Sequence, residues 1–134
     1  MTAASMTTVG VDIKALLTTS GYTGLNLGFI PNTTQTSITI FETGGYAAEQ
    51  VMGSVPAAQD RPSFQIRVRN PTYAGGMAVC HELYTLLDSI TNASVNDTFY
   101  QMIRAVSPPV YLGIVQSNGE AREFSINFQT MKNR

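Results

Sequence analysis

Charge is scarce in this 134-residue chain: 13% of its residues are Asp, Glu, Lys or Arg, and the formal net charge is -1. That share is about half the usual value for soluble domains. The near-neutral balance excludes a global electrostatic field for nucleic acid or an anionic membrane, so any contact with DNA has to be local. There is one cysteine, Cys80, which excludes an internal disulfide and agrees with a reducing cytosol. There is one histidine, His81, and no tryptophan. As neighbours on a helix, Cys80 and His81 point about 100° apart, which excludes a nucleophile and base acting together through that helix. The nine carboxylates stand singly, with no His-x-x-x-His or Cys-x-x-Cys spacing to hold a metal and no paired acids for hydrolysis. The glycine pairs Gly44-Gly45 and Gly75-Gly76 lack the lysine and spacing of a phosphate loop and read as flexibility or close packing. No run approaches the ~20 apolar residues that cross a bilayer, and no basic segment followed by an apolar one opens the chain. The expectation is a soluble, non-enzymatic protein without cofactor or metal.

What is present is enough apolar residue, 43%, for a single domain spanning 1–134. Its organising unit runs from Arg61 to Thr91. Phe64, Ile66 and Val68 alternate with Gln65, Arg67 and Arg69, the period of a half-buried strand with a charged outer face. Asn70-Pro71 then breaks the ladder and supplies a cap and a first helical turn. Met77, Cys80, Leu83, Tyr84, Leu87 and Ile90 follow at helical spacing, so Cys80 falls on the core stripe.

Around that unit, residues 1–8 read as a small polar tail, and Val9, Ile13, Leu16 and Leu17 as one face of a short helix that Gly21 stops, with Asp12 near its favourable end. A short extended piece covers 22–31, and a strand covers Thr36 to Glu42. Residues 43–60 have no period and read as a long loop in which Tyr46, Val51, Met52 and Val55 either pack down on the sheet or order on a partner. Asn92 to Asp97 reads as a turn-rich link. Thr98 to Val106 is a strand apolar on both sides, hence central or at an interface. Asn118-Gly119 between Val110–Gln116 and Arg122–Thr130 signals a closing hairpin, with Phe124, Ile126 and Phe128 on one face. The expected fold is α+β, a mostly antiparallel sheet with a long helix packed on one face and a short N-terminal helix. Low charge suits surfaces that become subunit contacts. Arg61, Arg67 and Arg69 read as a solvated strand face, a nucleic-acid footprint, or partners for carboxylates such as Glu42, Glu82 or Glu123 across an interface. Tyr100 and Met102, on one side of the doubly apolar strand, join them as candidate interface residues.

Several motifs together carry a resemblance. Leu16-Leu17 in the first helix, Leu27-Gly28-Phe29-Ile30-Pro31, the Arg61-Pro62 to Arg67-Val68-Arg69 strand before a helix, and the hairpin from Tyr111-Leu112-Gly113 through Asn118-Gly119-Glu120-Ala121-Arg122 to Ile126-Asn127-Phe128 resemble bacteriophage minor capsid and tail terminator proteins. The resemblance spans about Leu16 to Phe128. It implies a virion subunit, assembled in the host cytoplasm, that forms a ring, hexameric in long-tailed phages. Such a ring caps the tail tube protein and offers a surface to the head–tail connector protein, with DNA passing through the lumen. It implies that a loop of the subunit docks on the tube, which makes Tyr46, Val51, Met52 and Val55 the tube-contact candidates. Ile114-Val115-Gln116 departs from the acidic residue that often follows the Leu-Gly pair in such proteins. A head-completion or neck adaptor role is the alternative within the same class.

Overall fold

The structure, a computed structural model, describes residues 8–30, 36–44, 46–49, 59–116 and 120–133. In chain order these form helix α1 (Val9–Thr19), strands β1 (Leu25–Leu27), β2 (Ser37–Glu42), β3 (Tyr46–Glu49), β4 (Gln59–Arg61) and β5 (Ser63–Asn70), helix α2 (Tyr73–Asp88), and strands β6 (Thr91–Val95), β7 (Thr98–Ala105), β8 (Val110–Gln116) and β9 (Glu120–Asn133).

The 14-residue β9 is the spine. On one edge it pairs antiparallel with β5, along Arg122 to Gln129, and with β4 at Lys132 and Asn133. On the other it pairs with β8, along Glu120 to Ser125, and with β7, along Phe128 to Lys132. Each flank behaves as one strand broken by proline, which has no N–H to give a ladder. Pro62 separates β4 from β5 and contributes its carbonyl instead, accepting from Thr130 N at 3.0 Å and from the Thr130 hydroxyl at 2.8 Å. Pro108-Pro109 separates β7 from β8. β2 extends the sheet beyond β5, and β1 pairs parallel with β2.

The expectation of a long helix on one face of the sheet is overturned. Among the described residues nine strands outweigh two short helices of 11 and 16 residues, and the sheet curls into a half-barrel. The α+β character stands. Helical spacing locates α2 well and Asn118-Gly119 signals the β8–β9 hairpin, but nothing local announces that three remote segments, β4, β5 and β7, will pair with the same 14-residue strand and bend around it.

Alternation decides which face is core. Ile38 and Ile40 of β2, Phe64, Ile66 and Val68 of β5, and Phe124, Ile126 and Phe128 of β9 turn one way and are buried. Register sets Phe64 opposite Phe128, their rings stacked 4.9 Å apart. Val9, Ile13 and Leu17 of α1, Cys80, Leu83 and Leu87 of α2, Val95 of β6, and Tyr100 and Ile103 of β7 complete the core. Each large side chain so buried contributes about 1.5–3 kcal/mol. Gly76 lets α2 approach β9 closely, because a Cβ there would collide with the Phe124 ring. The cap of α2 is Thr72, whose hydroxyl accepts from Gly75 N at 3.1 Å, rather than Asn70; Asn70 Oδ1 instead accepts from Thr72 N at 3.1 Å. At the other end Arg104 Nη1 donates to the carbonyls of Asp88 and Ile90, both at 3.0 Å, a cation on the negative end of the helix.

Two further expectations change. The turn-rich link at 92–97 contains β6, which hairpins onto β7 through Asn96-Asp97, with φ of 52° and 66°. Positive φ at both turn residues matches strand twist, and Asn and Asp tolerate it. The 43–60 segment, read as loop, contains β3 and the start of β4, paired antiparallel. Residues 45 and 50–58 of that segment, and residues 1–7 of the expected tail, lie outside the described residues.

Candidate functional site

The outer face of β5 carries Gln65, Arg67 and Arg69, and register sets Asn127, Ser125 and Glu123 of β9 beside them. Arg67 Nη1 donates to Glu123 Oε1 at 3.1 Å and Arg69 Nε to Glu123 Oε2 at 3.0 Å. Arg67 Nε also donates to Gln65 Oε1 and Gln65 Nε2 to Asn127 Oδ1, each at 3.0 Å. Glu123 was expected as a partner across an interface; it is a partner within the subunit. Two guanidinium groups on one nearly buried carboxylate form a charge-assisted network that rigidifies the sheet. It also leaves little free positive charge for phosphate. Arg67 remains 37% exposed, lying over the Phe41 ring at 5.9 Å.

Arg61 does not join them. β4 meets the far end of β9, where Asp60 sits opposite Lys132, and Arg61 lines a cleft of about 520 Å³ with Glu42, Asp60 and Lys132. Cations and carboxylates are balanced there.

Tyr100 stands inside the subunit. It is fully buried, and its hydroxyl donates to Asp12 Oδ2 at 2.7 Å, while Asn96 Nδ2 donates to Asp12 Oδ1 at 3.1 Å. Burial first, and then the hydrogen bond and the negative charge of Asp12, push the Tyr100 hydroxyl well above the ordinary tyrosine range. Its side chain is enclosed by its own core and presents no surface to a neighbour. Met102 is half-buried. Asp12, read as a dipole partner, works as a clasp. α1 packs on β1 and β2, with Gly10 N donating to Glu42 Oε2 at 2.9 Å, and through Asp12 it also holds the β6–β7 hairpin. The helix therefore bridges both ends of the curled sheet.

Of the tube-contact candidates, the backbone of Tyr46 belongs to β3, and Val51, Met52 and Val55 lie outside the described residues. Cys80 is buried, and desolvation pushes its thiol up to about 12, while His81 is exposed. Among the described residues no group of three or more His, Cys, Asp or Glu is placed to hold a metal, and no helix is long and apolar enough to cross a membrane.

Sequence reasoning placed β8 correctly as one arm of the closing hairpin but missed how exposed it is. Val110, Leu112 and Ile114 on it, and Val106 just before it, are all exposed. Among the described residues its only ladder partner is β9. The signal was present in Val110–Gln116, an uncharged strand with a run of large apolar residues, but the hairpin reading assigned it no role.

These features define a strand-rich α+β domain whose ion pairs brace its own sheet and whose apolar surplus lies on an open strand. A family model described as bacteriophage tail terminator protein matches residues 2–134. The chain belongs to that family, which is structural rather than catalytic and makes it a component of the virion. No curated protein matches the sequence. A solved structure 13% identical shares the fold, with a TM-score of 0.53 and coverage of 97% of this chain and 96% of that one.

Proposed function

We propose that this subunit assembles into a homo-oligomeric ring, a hexamer by analogy with long-tailed phages, which closes the finished tail tube and offers the head–tail connector its attachment surface. The observation that carries the reading is the terminator family match along residues 2–134, nearly the whole chain. The low charged fraction supports it, because faces that pack against identical neighbours are depleted of charge at their centres. The protein has no catalytic task, is assembled in the host cytoplasm, and lets DNA pass through its lumen. Arg67, Arg69 and Met102 contribute to subunit contacts, with the exposed part of Arg67 available to a neighbour's carboxylate. The segment containing Tyr46, Val51, Met52 and Val55 meets the tail tube protein.

The test is a knockout phage imaged by electron microscopy. Tails of uncontrolled length are expected. Tails of normal length that fail to join heads would instead make the protein a neck adaptor. Replacing Val51, Met52 and Val55 together by Ser, which leaves strand β3 in place, is expected to abolish binding to polymerised tube while circular dichroism stays that of the intact subunit; unchanged binding would remove the tube-contact assignment.

A further inference from the structure

Along one edge of β9, β7 is covered on its outer side by β6, whereas β8 has no outer neighbour among the described residues. Its seven residues carry no charge, and Val110, Leu112 and Ile114 are 46%, 47% and 52% exposed, with Val106 at 58%. Edge strands of proteins that remain single usually carry lysine, inward charge, proline within the strand or a bulge to block pairing. Of these β8 carries only a bulge between Val110 and Gln116. Gly113 sits in a bulge at φ +123°, and a Cβ there would meet nothing within 4 Å, so a neighbouring backbone has room to approach. Unpaired N–H and C=O groups flanked by apolar side chains form an acceptor site for one more strand.

The other end of the same sheet has a matching character. Among the described residues β1 pairs with β2 alone, its Leu-Asn-Leu span is uncharged, and Phe29 just beyond it is 63% exposed. Each subunit therefore carries two different strand edges at opposite ends of one sheet, both neutral and both bordered by apolar surface. A closed ring requires such a pair of unlike patches, since a patch that mates with itself stops at a dimer.

The geometry points to β8 of one copy pairing with the β1 edge of a second copy, so that the sheet continues from subunit to subunit. This assignment rests on the ring reading above. A second copy is favoured over the tube or connector because the two edges match in charge and hydropathy and come in the same chain. Neither offers an ionic feature for a foreign partner to recognise.

The experiment uses two full-length variants, Leu112→Lys with Ile114→Lys on β8, and Phe29→Lys beside β1. Each is checked for wild-type circular dichroism and thermal unfolding, then sized by light scattering and imaged, in solution and on polymerised tail tube. In the setting where wild type forms rings, each variant alone is expected to lose assembly by about tenfold or more, since each lysine would be buried without a partner. Mixed in equal amounts they are expected to form a discrete dimer, because one retains an intact β1 edge and the other an intact β8 edge. Rings of the β8 variant that equal wild type, or a mixture that stays monomeric, overturn the strand assignment and leave the ring reading standing. Wild type that forms no ring in either setting overturns both.

Discussion

β7 and β8 follow one another along the same edge of β9, run in the same direction and are separated by Pro108-Pro109, yet one is interior and the other surface. The more polar of the two is the buried one. β7, Thr-Phe-Tyr-Gln-Met-Ile-Arg-Ala, encloses Tyr100 and Ile103 completely, while β8, Val-Tyr-Leu-Gly-Ile-Val-Gln, leaves Val110, Leu112 and Ile114 in solvent. The difference lies in the neighbour. A two-residue turn at Asn96-Asp97 folds β6 back over β7, the Asp12 carboxylate locks that hairpin to α1, and the Arg104 guanidinium ties it to the end of α2. No described segment does this for β8. Burial is thus decided by which strand acquires a cover, and an apolar strand without one is surface that an assembling subunit still has to bury.

The largest expected effect separates the two strands directly. Ile103→Ala in β7 opens a cavity in the core and should cost about 2–5 kcal/mol in urea unfolding of the isolated subunit. Next, Tyr100→Phe removes a hydroxyl from the buried Asp12 carboxylate and should cost about 1–3 kcal/mol, since an acceptor is left short of a donor. A cost near zero would mean that the clasp between α1 and β7 contributes nothing to stability.

Alkaline pH probes the same interior without mutation. The Cys80 thiol is raised from 9.0 to about 12, and the Tyr100 hydroxyl is raised from 10.0. Above the unfolded values the unfolded chain binds fewer protons than the folded one, so stability falls as pH rises. Below pH 9 neither group contributes a slope. Unfolding followed from pH 8 upward should therefore show stability declining through the range between 9.0 and about 12, and Tyr100→Phe should lessen the part above pH 10. A flat profile would contradict the burial of both groups. The smallest effect belongs to β8. Ile114→Ala should change the stability of the isolated subunit by no more than about 0.5 kcal/mol. A loss equal to that of Ile103→Ala would break the contrast between the strands.

How much of this could be read along the chain depends on how local the signal is. The β5 strand, the Cys80 stripe of α2, the α1 helix ending at Gly21 and the Phe124, Ile126, Phe128 face of β9 were legible, because period two, period 3.6 and a turn glycine are written in neighbouring residues. β6 was not, since Thr-Asn-Ala-Ser-Val has little apolar content and its pairing depends on β7. The candidate site fared unevenly. Arg67 and Arg69 were correctly seen as an outward pair, but their partner Glu123 lies 56 and 54 residues away within the same subunit, Arg61 opens on a different part of the sheet, and Tyr100 turns inward.

The sequence by itself determined the element types at the centre of the fold, the buried lone cysteine, the low charge and the motifs that resemble the terminator family, all of which rest on residue chemistry and short-range spacing. Only the tertiary structure decided that β9 gathers strands on both edges, that the sheet curls and is bridged by α1, and that β8 stays bare. Those outcomes depend on hydrogen-bond register and side-chain contact between segments far apart in the chain, and a strand's backbone groups carry no local mark of which partner will satisfy them.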